Sequence, residues 1–376
     1  MRKRVRYLLM LCLMLLLTGC SGQREQSTDI SKSLQYTGKY PLRYAKELEI
    51  DNYEKGYCLV NISGERRYLV IPEEGSRPED LPEDIICLQK PLDQTYLAAT
   101  AVMDMICELD ADSHVRFTSI KASDWSIEKA AEKMRSGEML YGGKYSMPDY
   151  ESLVAGHCSL AIENTMILHS PKVMEELNAF GIPVLIDKAS YEQHPLGRVE
   201  WIKLYGILFD RQQQAEEIFR RQEEKLVAVS GADSKENAPT VAFFYIGENG
   251  TVSVRSGQDF IPKMIEMAGG NYLFSDLVKE DSHRVSVNLQ MESFYEKAVD
   301  ADILIYNNYT ERNMTKLSEL TDKMEQLKDF KAVRQKKVWC VQKDLYQQPL
   351  STGEIITDFH KILSGETDLT YLYPLE

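Results

Sequence analysis

The sequence predicts an α/β protein of two lobes, each with a central parallel sheet, joined by one long helix. Three observations predict it. Residues 160–162, 171–180 and 182–186 read as strand, helix and strand, and strands joined by a crossover helix pair in parallel. Residues 199–229 keep apolar side chains at helical spacing with few breakers. After a polar stretch at 230–239, a second strand-and-helix series opens on the unbroken apolar run Thr240–Ile246.

The amino terminus comes first in the chain. Arg2, Lys3, Arg4 and Arg6 precede an apolar run at 8–17. That run is about half the roughly twenty residues a bilayer span needs, so it reads as a secretory signal. It ends in Leu17-Thr18-Gly19-Cys20, which resembles a bacterial lipobox. The resemblance implies cleavage before Cys20, a diacylglycerol on its thiol, and anchorage to the extracellular face of the cell membrane. The plainer alternative is an ordinary signal whose last residue is Cys20. The expected organisation is signal 1–19, flexible tether 20–35, first lobe 36–198, interlobe helix 199–230 and second lobe 231–376. The tether follows from its Ser-, Gln- and Gly-containing, apolar-poor composition up to about Ser33.

In the first lobe, residues 57–62 and Arg67–Ile71 flank Ser63-Gly64-Glu65, a hairpin pattern, and 85–88 reads as a further strand. Residues 95–109 read as a helix, as do 127–134, with Ser126 or Asp124 as cap. Residues 149–155 read as helical. Ser170 and Pro171 open the helix at 171–180, and Gly181 closes it. Asp210 marks a kink or a new cap within the long helix. In the second lobe, Gly247-Glu248-Asn249-Gly250 turns the chain into a strand at 251–254. Helices follow at 260–268, 291–299 and 353–363, and strands at 301–306 and 337–341. Both lobes are Rossmann-like in this reading.

The chain carries a net charge of −14, and removing the four basic residues ahead of Cys20 leaves 40 against 58, or −18. That excludes nucleic acid as a partner and electrostatic docking to anionic lipid, both of which need a basic surface. Of seven cysteines, Cys12 leaves with the signal and Cys20 takes lipid. Cys58, Cys87, Cys107, Cys158 and Cys340 show no metal or disulfide spacing and read mainly as small buried apolar residues, with one disulfide left open.

In open α/β sheets, ligands sit beyond the carboxyl ends of the strands. Two such ends are polar: Glu163-Asn164-Thr165 and Asn307-Asn308-Tyr309-Thr310. Two lobes meeting at these edges form a cleft lined by donors and acceptors, although polar residues commonly end strands for no further reason. The segment 191–198 adds Tyr191, His194 and Arg198; Arg198 either grips a planar anion bidentately or pairs with an acid such as Glu200. Arg255 is a weaker candidate of the same kind, and Lys144 a further cation. Tyr141 and Tyr145 offer aromatic walls for a flat ligand or serve as packing residues. His157 and His169 have no partner at metal-ligand spacing. GxSxG, HExxH and GxxxxGK[ST] patterns are missing, which argues against an enzyme.

Taken in order, these stretches resemble the extracellular solute-binding lipoproteins of ABC importers, in the class that handles iron–siderophores, haem and cobalamin. The resemblance runs from about Tyr36 and rests on residues 148–154 before a strand, on 170–173 through 181–184, and on 260–270. It implies a monomer that captures a metal chelate between its lobes, needs no cofactor of its own, and delivers its cargo to a permease dimer with its ATPase. It further implies that one Glu per lobe, Glu151 and Glu266, docks onto the permease. Where the family often shows Lys-Pro-Asp after the first-lobe helix, this chain has Gly156-His157-Cys158. The ligand-contact candidates are Tyr145, Glu163, Asn164, Tyr191, His194, Arg198, Arg255 and Asn307. Other readings are a receptor for a bare metal ion, an extracellular enzyme on a two-lobe scaffold, and an adhesion or signalling lipoprotein. The lipobox predicts that mass spectrometry of the mature protein finds a diacylglycerol-bearing Cys20 at its amino terminus; an unmodified terminus downstream of Cys20 refutes it.

Overall fold

A computed structural model describes residues 29–64, 66–229, 238–247, 249–278, 285–308 and 314–376. Cys20, Tyr309 and Thr310 lie outside them. The first sheet comprises β1 (Tyr36–Lys39), β2 (Leu48–Tyr53), β3 (Cys58–Ile62), β4 (Arg67–Ile71) and β5 (Ile85–Gln89) in that order. It is antiparallel up to the β4–β5 pair, which is parallel. One face joins the main core through Leu48, Ile50, Val60 and Val70. The other is covered by Ile30 and Leu34, which pack on Leu59, Leu69 and Ile85. The segment expected to be a tether at 20–35 therefore folds onto the body in its last residues. Lys32 N–H donates to Asp80 Oδ2 at 2.9 Å, tying the segment down.

The next elements are β6 (Thr95–Leu97), α1 (Val102–Glu108), β7 (Val115–Thr118), α2 (Glu128–Ser136) and β8 (Leu140–Tyr141). The small hairpin β9 (Gly143–Lys144) and β10 (Met147–Pro148) leads into α3 (Tyr150–Ala155). Then come β11 (Ala161–Asn164), α4 (Pro171–Ala179) and β12 (Val184–Asp187). The sheet order is β12-β11-β6-β7-β8, parallel throughout, so the expected crossover unit is present. The helix expected over 95–109 is corrected: its first residues form β6, a central strand. Tyr96 and Leu97 are wholly buried on opposite faces of that strand, which helical spacing alone does not distinguish from one helix face.

The interlobe segment runs as α5 (Pro195–Glu200), α6 (Ile202–Leu208) and α7 (Gln212–Val229), in place of one continuous helix. α5 and α6 continue through Trp201 in helical backbone. The break falls at Asp210, whose φ of 57° is left-handed. Arg211 N–H closes back on Gly206 O at 2.7 Å, a Schellman-type stop with Asp in the place usually held by Gly. The buried Lys90 amine holds Asp210 there at 2.7 Å.

The second lobe comprises β13 (Thr240–Ile246), β14 (Val252–Arg255), α8 (Phe260–Met267), β15 (Asn271–Tyr272), β16 (Ser286–Leu289), α9 (Met291–Ala298), β17 (Ile303–Tyr306), α10 (Leu317–Lys323), α11 (Lys331–Arg334), β18 (Val338–Val341), α12 (Thr352–Ser364) and β19 (Leu372–Pro374). Its sheet is parallel only at its centre, β15, β13, β17 and β18; β14, β16 and β19 are antiparallel.

A single apolar core runs through both lobes and takes in Trp201, Leu204 and Tyr205. Two buried carboxylates pin the first sheet's leading loop against this helical segment. Glu200 accepts the N–H groups of Arg43 (3.0 Å), Tyr44 (2.7 Å) and Ala45 (2.9 Å) and lies 3.3 Å from Lys203 Nζ. Glu192 accepts those of Lys46 (2.8 Å) and Glu47 (3.0 Å), and Trp201 Nε1–H (3.0 Å). Removing one partner of such a buried group strands the others and costs about 3–5 kcal/mol. Urea denaturation is expected to show a loss of that size for Glu200→Ala. Glu49→Ala, which breaks only the exposed pair with Lys39, is expected to lose less than about 1 kcal/mol.

Candidate binding cleft

The carboxyl ends of β6, β11 and β12 converge on the start of α5 and on the second lobe's residues 346–349. Between them lies a cavity of about 100 Å³ lined by Ala99, Asn164, Asp187, Ser190, Arg198 and Pro349, among others. A wider open groove beside Asp210 and Arg221 shares none of these residues and meets no strand end.

Arg198 is the buried cation on the cavity's lining. Its guanidinium stacks over the Phe260 ring at 3.8 Å, and its Nε has no hydrogen-bond partner. Burial pulls its pKa down to about 10, opposed by Asp259 and Asp187, so it stays charged at neutral pH. Arg255 enters from the end of β14. It donates to Tyr346 Oη at 2.8 Å, lies 3.7 Å from Asp259, and also leaves Nε unpartnered. Burial depresses its basicity, but Asp259 and Tyr346 outweigh that and raise it. Asp259 caps α8 by accepting Ile261 N–H at 2.9 Å; burial raises its pKa against the pull of Arg255. Asp187, the last residue of β12, is pushed up to about 6 by burial, opposed by the Tyr205 hydroxyl and the Ala189 N–H. Two guanidiniums and two carboxylates thus balance, with donor capacity left on both arginines.

Asn164 lines the cavity, but its amide is engaged: it donates to Ala98 O at 3.2 Å and accepts Met166 N–H at 2.9 Å. Six expected contacts lie off the cavity lining: Arg255, which stands beside it across Phe260, and five others. Glu163 is the main correction. The strand continues past the apolar run, and alternation turns Glu163 onto the Ala161 face, where it is wholly buried with neither oxygen hydrogen-bonded. Tyr145 packs half-buried against that same cluster. Tyr191 ends a short turn beside Lys188, whose Nζ is 5.8 Å from its ring. His194 caps α5, accepting Leu196 N–H at 3.1 Å, and stacks on Tyr44. Asn307 follows β17, its N–H donating to Phe244 O at 2.8 Å. Glu151 and Glu266 are exposed, one on α3 and one on α8.

Asp187, Asp259, Phe260 and Tyr346 belong to the site without having been singled out. Asp187 lies one residue beyond the apolar run, and Asp259 carries only a helix-cap signal. Nothing local marks Tyr346. Among the described residues, no three His, Cys, Asp or Glu side chains assemble as metal ligands, and Cys58, Cys87, Cys107, Cys158 and Cys340 are all unpaired. No helix among the described residues is long and apolar enough to cross a membrane.

The sequence profile of the family described as "Periplasmic binding protein" matches residues 99–345. The first sheet precedes that match. An uncharacterized lipoprotein of Methanocaldococcus jannaschii is 23% identical, across 95% of this chain and 92% of its own. Among solved structures, a possible iron-binding (periplasmic solute-binding) protein from Staphylococcus epidermidis superposes with a TM-score of 0.55 at 16% identity, over 72% of this chain and 97% of its own. A periplasmic heme binding protein of Vibrio cholerae does so with a TM-score of 0.57 at 16% identity, over 70% and 97%. At these identities the likeness is one of fold.

Glu163 sets a pH dependence. Burial raises its pKa well above the ordinary 4.5, which favours the neutral acid in the folded protein. A raised folded pKa gives stability that is full below the unfolded value and lost as pH rises toward the folded one. Wild type is therefore expected to lose up to about 1.4 kcal/mol per pH unit from this group above pH ~5. Glu163→Gln, which keeps the shape, should flatten that slope in urea titrations at pH 5 to 8.

Proposed function

We propose, from the premise that the chain belongs to the periplasmic binding protein family and is a binding protein and not an enzyme, that it is the lipid-anchored extracellular receptor of an ABC importer. It captures an iron–siderophore, haem or corrinoid between its lobes and hands it to the permease.

One observation carries the ligand reading: Arg198 and Arg255 approach the same Phe260 ring, at 3.8 and 6.0 Å, with unpartnered Nε groups. A guanidinium grips carboxylate or another planar oxyanion by paired N–H donors. The aromatic neighbours Phe260 and Tyr346 suit a large chelate with flat portions. The metal arrives already coordinated in this reading. A cavity of about 100 Å³ is well below the roughly 300–1,000 Å³ of small-molecule sites, so capture requires its walls to part.

The partners follow the same logic. Glu151 and Glu266 present one exposed carboxylate per lobe to a two-fold permease. Eight residues lie between Cys20 and Asp29; at ~3.5 Å per residue, a lipid on Cys20 would keep the body within about 30 Å of the bilayer.

Titration of the mature protein with ferric siderophores, haemin and cobalamin tests this through Trp125, Trp201 and Trp339 fluorescence. One class is expected to quench at micromolar concentration or below; failure of all three refutes the ligand reading. The double variant Glu151→Lys/Glu266→Lys is expected to bind the same ligand unchanged while cellular uptake stops, and continued uptake refutes the docking assignment.

A further inference from the structure

Residues 345–351 connect β18 to α12 and run from the second lobe across to the first. Leu345 and Leu350 are buried in the common core, and hydrogen bonds tie the segment to the first lobe. Gln347 is 2% exposed although it comes from a surface connection. Its Oε1 accepts Ser126 N–H at 2.8 Å and Ser126 Oγ–H at 2.7 Å, while its Nε2 donates to Asp124 O at 3.0 Å. Three residues on, Leu350 N–H donates to Asp104 Oδ2 on α1 at 2.9 Å. Between these ties, Pro349 forms part of the cavity wall facing Ala99, Asp187 and Arg198. At the near end, Tyr346 accepts a hydrogen bond from Arg255 and lies under its guanidinium, 5.3 Å from Cζ to ring centre.

The opposite side of the lobe junction is packed more extensively. There α5 and α6 are buried along their length in the common core, and Glu192 and Glu200 fasten them to the first sheet. Rotating whole lobes about that side would tear packed apolar surface and uncover carboxylates. Releasing 345–351 breaks the hydrogen bonds of Gln347 and Leu350, each worth roughly a two- to tenfold bias because water replaces them, and withdraws only Leu345 and Leu350 from the apolar core.

We propose that residues 345–351 form the gate of the cleft, with Gln347 as its catch on Asp124 and Ser126. The inference rests on the reading of the cavity as the ligand site. When the catch releases, Pro349 leaves the cavity wall and Tyr346 leaves Arg255, whose guanidinium then faces the entering ligand. Reclosure restores the Gln347 and Leu350 bonds and holds the ligand against Arg198. Gln347 is a positioning residue: it acts on the ligand through Tyr346 and Pro349.

Hydrogen exchange of the mature protein, read by mass spectrometry without ligand, tests the gate. In Gln347→Ala, and in Gln347→Asn, which shortens the arm without opening a large void, exchange over 345–351 and 119–127 is expected to rise about tenfold. Strands β6, β11 and β17 should keep wild-type protection. Acrylamide quenching of Trp125, which lies between the two residues the catch grips, is expected to rise with it. Unchanged exchange in both segments overturns the gate, as does a uniform loss of protection across the core, since that marks a merely structural bond. If exchange rises selectively while haemin, ferric siderophores and cobalamin all fail to bind, the gate stands and the ligand reading falls. If a ligand binds and its dissociation is no faster in the variants, the gate is overturned and the ligand reading stands.

Discussion

The burial of two carboxylates, Glu192 and Glu200, is the constraint on which the rest of the molecule depends. An ionised carboxyl inside a protein is tolerated only when hydrogen bonds replace its water. Here five consecutive backbone N–H groups, from Arg43 to Glu47, supply them, together with Trp201 and Lys203. The carboxylates thereby fix the first sheet on the interlobe helices. They also fix α5, and Arg198 lies on α5 between them in sequence. The orientation of the cleft's buried guanidinium is thus set by an interaction on another side of the same short helix.

That orientation matters because the cleft is electrostatically balanced in an acidic protein. Arg198 and Arg255 are offset by Asp187 and Asp259, so neither arginine is an uncompensated buried charge. Neutralisation is incomplete at the level of hydrogen bonds: both Nε groups and Asp259 Oδ2 remain unpartnered. A site with balanced charge and spare directional donors suits an anionic ligand that brings its own geometry. Lysine would not serve in the same way, since its ammonium has no planar fork and is more costly to desolvate.

The two ways the lobes touch divide stability from movement. The helical side is apolar and wholly buried, while the 345–351 side joins two buried leucines, Leu345 and Leu350, to a row of hydrogen bonds beside the cavity. Apolar packing resists partial opening because every small displacement exposes surface, whereas hydrogen bonds exchange readily with water. The proposed gate uses the side that carries these hydrogen bonds.

Local pattern made much of the architecture legible. The crossover unit 160–186, the β3–β4 hairpin and the strand Thr240–Ile246 were readable because their periodicity and turn residues are properties of adjacent positions. Arg198 and Arg255 were readable as cations, one in the segment that follows a strand and one at a strand's end. Other features were not local. Residues 95–97 became a strand because neighbours on both sides supply its pairing, and Glu163 turned inward because β11 outran its apolar run. The joining of Asp187, Arg198, Asp259 and Tyr346 spans four separate elements, and the grip of Gln347 on Ser126 spans 221 positions. The sequence by itself determined the α/β class, the two-lobe order and the acidic character, since these follow from short-range pattern and composition. Only the tertiary structure decided which charges meet, because burial and pairing depend on what the folded chain brings alongside.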